Sequence, residues 1–198
     1  MLRDVQFKHS YSSGYDEPKD FFTEALIESS TFDLGLGFFS SSGIRSLAYG
    51  FALFIVNGGK MRVVMNHLLS KEDKEAIENG QKHLVEDFEN RILSDIKKLA
   101  KTLSKEDDHF FHCLSYLISI NRIEFIATIS TKGGLGHDKY GIFTDEEGNK
   151  VAFIGSANFS RSALEFNGET ITVFTSPADN KRISEYQTLF DKSWENLS

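Results

Sequence analysis

Residues 31–66 read TFDLGLGFFSSSGIRSLAYGFALFIVNGGKMRVVMN. Thr31 to Ser40 reads as a strand, thinned by Gly35 and Gly37. Ile44, Leu47, Ala48, Phe51 and Ile55 then follow helical spacing. Ser41 or Ser42 stands where a helix cap belongs, and Gly58-Gly59 stops the run. Lys60 to Asn66 is strand-like again. Strand, helix and strand in succession favour a parallel pair, because parallel neighbours need a crossover of about a dozen residues. This unit predicts an α/β fold.

The rest of the chain extends the pattern. Asp16 is placed to cap a helix with Pro18 in its first turn and Phe21, Phe22, Ala25 and Leu26 on one face. Residues 71–109 are dense in charge beside an apolar stripe of Leu84, Phe88, Ile92, Ile96, Leu99 and Leu103. They read as amphipathic helices, part of a helical insertion over about 71–120. Ile123 to Ile129 is a buried-type strand. His137 to Thr144 and Lys150 to Gly155 are two arms of a hairpin turning near Gly148. A short helix from Ser160, a strand from Glu169 to Thr175 and a helix from Ile183 to Trp194 complete one domain over residues 1–198. The expected architecture is a mixed, largely parallel central sheet with helices on both faces.

Composition narrows the class. The chain has 198 residues, 40% of them hydrophobic, with 18 Phe, 6 Tyr and only 2 Pro. That excludes a disordered or fibrous protein. A lone cysteine, Cys113, excludes a disulfide framework and a multi-cysteine zinc site. The longest mostly apolar run, Leu47 to Val56, falls short of the roughly 20 residues that span a bilayer. The first residues lack the apolar core of a signal peptide. The expectation is a cytoplasmic protein with no membrane partner. The net charge of −7 weighs against tight, independent nucleic-acid binding.

The chemistry is concentrated in residues 137–169, HDKYGIFTDEEGNKVAFIGSANFSRSALEFNGE. The period of a strand puts His137 and Lys139 on one face. Gly155-Ser156-Ala157-Asn158 follows a strand and precedes a helix, where hydroxyl, amide and backbone N–H groups converge on an anion. A carboxylate at Glu169, facing the site, would hold one imidazole nitrogen of His137 and fix its tautomer. Together these parts suit phosphodiester chemistry: a histidine nucleophile, with lysine, serine and asparagine offsetting phosphate charge. No cofactor is called for. The chain offers no persuasive metal set; His109-x-x-His112-Cys113 includes Phe110 and Phe111 and reads as a partly buried helix.

The order His-x-Lys, Asp, Gly-Ser-x-Asn, Asn-x-Glu resembles the phospholipase D superfamily. With GFFSSSG at 37–43, it is most similar to the single-motif nuclease domains associated with bacterial helicases and restriction or defence proteins. The resemblance implies a phospholipase D-like fold. It implies His137 as nucleophile, Lys139, Ser156 and Asn158 as phosphate ligands, and Glu169 as the carboxylate that orients the histidine. The family Asp lies five positions after the lysine; here that position is Thr144, and Asp145 follows it. A bulge or slip in the hairpin would restore Asp145. Ser41 is a second, peripheral candidate, either lining the cleft or capping the helix.

A complete site needs one histidine to attack and another to protonate the leaving oxygen. One motif per chain therefore implies a homodimer with two His137 residues at its interface. Lys132, Lys139, Lys150 and Arg161 supply local positive charge near the motif. The expected activity is metal-independent cleavage of nucleic acid, DNA before RNA, with a helicase or restriction subunit as a further partner. The alternatives are a non-catalytic DNA- or partner-binding module and a phospholipid hydrolase or phosphatidyltransferase.

Overall fold

The computed structural model describes residues 1–36, 41–66, 116–118, 120–128, 139–156, 164 and 168–195. The chain divides into two compact units, residues 1–67 with 126–198, and residues 68–125. Most of the expected helical insertion, residues 37–40 and the helix expected from Ser160 to Asn167 lie outside the described residues, Leu164 apart.

The elements are β1 (Ser10–Ser12), α1 (Pro18–Ile27), β2 (Thr31–Leu36), α2 (Ser41–Ser46), α3 (Ala48–Val56), β3 (Lys60–Asn66), β4 (Ile123–Thr128), β5 (Tyr140–Thr144), β6 (Lys150–Gly155), β7 (Thr170–Thr175) and α4 (Asn180–Glu195). The strands form one sheet in the order β1-β7-β6-β5-β2-β3-β4. β2 and β3 pair in parallel, Thr31 opposite Lys60, as the crossover between them requires. The expectation of a largely parallel sheet is corrected: β2–β5, β5–β6, β6–β7 and β1–β7 are all antiparallel. The sheet is mixed, with helices on both faces.

Alternation along the strands sorts the core into two layers. One face carries Phe32, Phe143 and Phe153, met by Phe21 and Phe22 of α1; all five are buried. Phe32 and Phe143 stack at 4.0 Å, and Phe22 meets Phe153 edge-on at 4.8 Å. Gly141 makes room for them, since a Cβ there would lie 2.5 Å from the Phe153 ring. Each such ring contributes about 1.5–3 kcal/mol on leaving water. On the other face, Ile142, Ala152 and Ile183 form one cluster, and Val64, Tyr140 and Phe190 another. Both bind α4 to the sheet.

A polar network lies under α4. Buried Asp33 accepts both guanidinium arms of Arg62, at 2.7 and 2.6 Å, and the Gln187 amide at 2.9 Å. Arg62 also lies over the rings of Phe190 and Trp194. α4 is thus fixed by apolar packing and by a fork that neutralises a buried carboxylate.

Two local expectations change. α1 is preceded by Glu17, with no side-chain cap bond, because Asp16 is engaged elsewhere: its carbonyl accepts the Ser12 N–H and its carboxylate holds Lys8. The single helix expected over 44–55 is two, α2 and α3, divided at buried Leu47. In the second unit, residues 116–118 are helical and Asn121 is left-handed, with φ 55°. Among the described residues no helix is long and apolar enough to cross a membrane.

Candidate active site

Strand direction decides where the motif falls. β5 begins, β6 ends, β7 begins, and β1 and β2 end at the same rim of the sheet. The pairings Gly35–Tyr140, Tyr140–Ile154, Gly155–Ile171 and Ser12–Thr170 place them there. Lys139, Ser156 and Glu169 each stand one residue outside a strand at that rim. His137 and Asn158 lie outside the described residues, each two positions along the chain from Lys139 and Ser156. His67 also lies outside them, as do Lys132 and Arg161.

Close backbone approach builds the site. The Gly155 N–H donates to the Lys139 carbonyl at 3.0 Å, and the Ser156 N–H donates to the Thr170 carbonyl at 3.2 Å. A Cβ on Gly155 would sit 2.3 Å from the Thr170 carbonyl oxygen. Only glycine lets β6 and β7 close at that point. The Gly of Gly-Ser-x-Asn is therefore a packing requirement of the rim.

Ser156 is oriented by this closure. Its hydroxyl donates to Oε2 of Glu169 at 2.5 Å and accepts the Thr170 N–H at 3.2 Å. A short hydroxyl–carboxylate bond is the charge-assisted kind. Glu169, assigned in the sequence to His137, here holds Ser156. With its only proton directed at Glu169, the Ser156 hydroxyl must turn away from that carboxylate before it can donate to an anion.

The sequence reading missed what holds Glu169. The Ser13 N–H and hydroxyl both donate to the Glu169 carbonyl, at 3.0 and 3.4 Å. The Glu169 N–H donates back to the Ser13 hydroxyl at 3.2 Å. Ser12 and Thr170 share a hydroxyl–hydroxyl bond at 3.0 Å. β1 is three residues with one apolar side chain, too short for a period to show.

One candidate stands away from the rim. Asp145 is at the far end of the hairpin, buried at 5% exposure. It accepts the N–H groups of Glu147 at 3.0 Å, Asn149 at 2.9 Å and Leu2 at 3.1 Å. No bulge brings it back, because the β5–β6 register runs without interruption from Tyr140–Ile154 to Thr144–Lys150. Burial would raise its pKa, but the Asn149 side chain and the N–H groups of Asn149, Leu2 and Glu147 hold it below the usual carboxylate range. Lys150 shares that far end, where it donates to Gln187 at 2.7 Å, so it adds no charge at the rim. Ser41 is the first residue of α2.

Among the described residues no three His, Cys, Asp or Glu side chains gather to hold a metal. A groove of about 430 Å³ lined by Phe174, Arg182, Glu185, Tyr186 and Leu189 shares no residue with the motif.

The family model for the cardiolipin synthase, PLD-like domain matches residues 57–194, which includes the whole motif. The chain belongs to this phospholipase D-like family. Its fold is that of NucT from Helicobacter pylori, at 16% identity, TM-score 0.55 and 95% coverage of each chain. It is likewise that of Nuc from Salmonella typhimurium, a phospholipase D family member, at 12% identity and TM-score 0.53, covering 96% of this chain and 94% of that one. A phosphatidylserine synthase from Haemophilus influenzae matches at 10% identity and TM-score 0.51, over 91% of this chain but 36% of its own. No curated protein matches the chain by sequence. For the phospholipase D-like chain, the three structures establish the fold.

Proposed function

We propose that this phospholipase D-like chain is a metal-independent phosphodiesterase of nucleic acid, with DNA preferred to RNA, working through a phosphohistidine. The observation that carries the reading is the Ser156–Glu169 pair at 2.5 Å, set at the rim where Lys139 enters β5. In the sequence His137 and Asn158 lie two positions from Lys139 and Ser156 and complete the motif.

In this reading an imidazole nitrogen of His137 attacks phosphorus. The bond from phosphorus to the leaving oxygen breaks, and that oxygen takes a proton from a second His137. Water then gives a proton to this second histidine and attacks phosphorus, and the phosphorus–nitrogen bond breaks to release the first. Lys139 and Asn158 hold the non-bridging oxygens, joined by Ser156 once its hydroxyl turns from Glu169 to the phosphate, and Glu169 orients the histidine. One motif per chain makes the active species a homodimer. A helicase or restriction subunit would add the affinity that a chain of net charge −7 lacks.

Single- and double-stranded DNA are incubated in excess EDTA with the wild type and with His137→Ala, and the species present are sized by sedimentation. The expected result is cleavage by a wild-type dimer and none by the variant. Turnover by His137→Ala, or by a monomer, refutes the mechanism. Binding without turnover would favour the non-catalytic module, and turnover of phospholipid alone would favour the lipid enzyme.

A further inference from the structure

The turn after β1 has a second use. Ser13 is bonded to Glu169 through both its N–H and its hydroxyl, as described above. From there the chain passes through Gly14, whose φ is +87°, and returns so that Asp16 accepts the Ser12 N–H at 2.8 Å. The Gly14 N–H donates to a carboxylate oxygen of Glu17 at 2.7 Å, and the Tyr15 N–H to the Ser12 carbonyl at 3.1 Å. Lys8 closes the far side through Asp16. At the tip of this stitched turn stands Tyr15, 92% exposed. An aromatic ring left wholly in water forgoes the burial that normally places it.

Tyr49 and Tyr116 are also exposed, at 71% and 62%. Neither lies on a segment bonded to Ser156, Glu169 or Lys139 by a contact seen among the described residues. Tyr15 does, through Ser13. β1 is two strands from β6, about 10 Å at the usual strand spacing. A ring on the turn beyond β1 is thus a nucleotide or two from a phosphate held at Ser156.

We propose that Tyr15 is a stacking platform for an unpaired base flanking the scissile phosphate, which makes single-stranded nucleic acid the substrate class of this site. The inference rests on the nucleic-acid reading above. A base presents a π-face whatever its identity, so a rigid exposed ring next to a phosphate site recognises single strands without sequence preference. A duplex keeps its bases stacked inside and offers Tyr15 nothing comparable. The other described aromatic side chains at the rim, Tyr11 and Tyr140, are buried, which leaves Tyr15 as the exposed described ring there.

The test uses the full chain and three variants, Tyr15→Ala, Tyr15→Phe and Tyr15→Trp, none of which removes a buried contact. The probes are a short fluorescein-labelled oligothymidylate, the same oligomer with abasic positions throughout, and phosphatidylglycerol vesicles. Binding is followed by anisotropy at low salt, and cleavage of each oligomer by gel. Tyr15→Ala is expected to weaken oligothymidylate binding and raise its KM by about tenfold, with kcat unchanged. Phe and Trp restore both, and the abasic oligomer does not distinguish Ala from wild type. Equal binding of oligothymidylate by Tyr15→Ala and wild type overturns the inference. So does an equal loss on the abasic oligomer, or a loss confined to vesicles, which would make the ring a membrane contact. If the wild type binds through Tyr15 but does not cleave, the inference stands and the catalytic reading falls. If it neither binds nor cleaves, both fall.

Discussion

Asp145→Asn separates two roles that the motif alone confuses. The sequence offers Asp145 as a displaced family carboxylate; the structure makes it the organiser of the β5–β6 turn. Its two oxygens take N–H groups from Leu2, Glu147 and Asn149, and the Asn149 amide besides. An asparagine supplies one acceptor oxygen and one amide nitrogen. If the oxygen keeps Glu147 and Asn149, the new NH2 opposes the buried N–H of Leu2. The loss is one hydrogen bond to a charged group, about 1.5–3 kcal/mol, with a buried donor left unpaired. We expect about 2–4 kcal/mol in total. With m in urea of about 1–3 kcal/mol/M, the unfolding midpoint should fall by about 1–2 M.

The pH dependence adds a sign. The folded pKa of Asp145 lies below its unfolded value, so its contribution is complete above the unfolded value of about 3.9. That contribution is lost as pH falls through the folded pKa. The midpoints of wild type and Asp145→Asn should therefore differ at neutral pH and converge under acid. Urea titrations followed by circular dichroism at several pH values measure this, with turnover at saturating substrate measured alongside. A variant of wild-type midpoint that has lost turnover would return Asp145 to the chemistry and overturn the structural assignment.

Two further outcomes follow from the packing. Gly155→Ala places a Cβ against the Thr170 carbonyl and Ile171 Cα, so β6 and β7 must part at the rim. It should cost about 2–4 kcal/mol by urea titration and depress turnover, whereas Gly168→Ala, whose Cβ would meet no atom of the described residues within 4 Å, should stay within about 0.5 kcal/mol. Arg62→Met strips the fork from buried Asp33 and should cost about 3–5 kcal/mol, with Asp33→Asn in the same chain recovering part of the loss. A double variant no more stable than Arg62→Met would show that the buried charge is not the cause.

What was legible in the sequence was local. The β2–helix–β3 crossover, the β5–β6 hairpin and the helix at the end of the chain all show within windows of ten to forty residues. Strand partners beyond that window did not show. Periodicity places a residue on one face of a strand but does not tell which strand lies alongside. The parallel β2–β3 unit therefore weighs too heavily in the expectation of a mixed but largely parallel sheet, whose other half is an antiparallel meander. Asp16 as a cap failed for a related reason: a good cap residue is also a good turn residue, and the pairing with Ser12 decided between them.

The same distinction explains why the motif could be found while its support could not. β5, β6 and β7 follow one another as antiparallel neighbours, so the start of one, the end of the next and the start of the third meet at one rim. Lys139, Ser156 and Glu169 are close in space because they are strand-end residues of a continuous meander. Their spacing is counted from the rim, where the Gly155 N–H meets the Lys139 carbonyl. The departure at Asp145 falls at the other end, in the turn between Thr144 and Lys150, where the ladder has already closed. An extra residue there lengthens the turn without moving Ser156 relative to Lys139. Ser13 has no such local signal: it reaches Glu169 across 156 residues of chain, and only the β1–β7 pairing brings it there. A motif scan therefore recovers Lys139, Ser156 and Glu169 and omits the strand that clamps Glu169, which is the strand whose turn carries Tyr15.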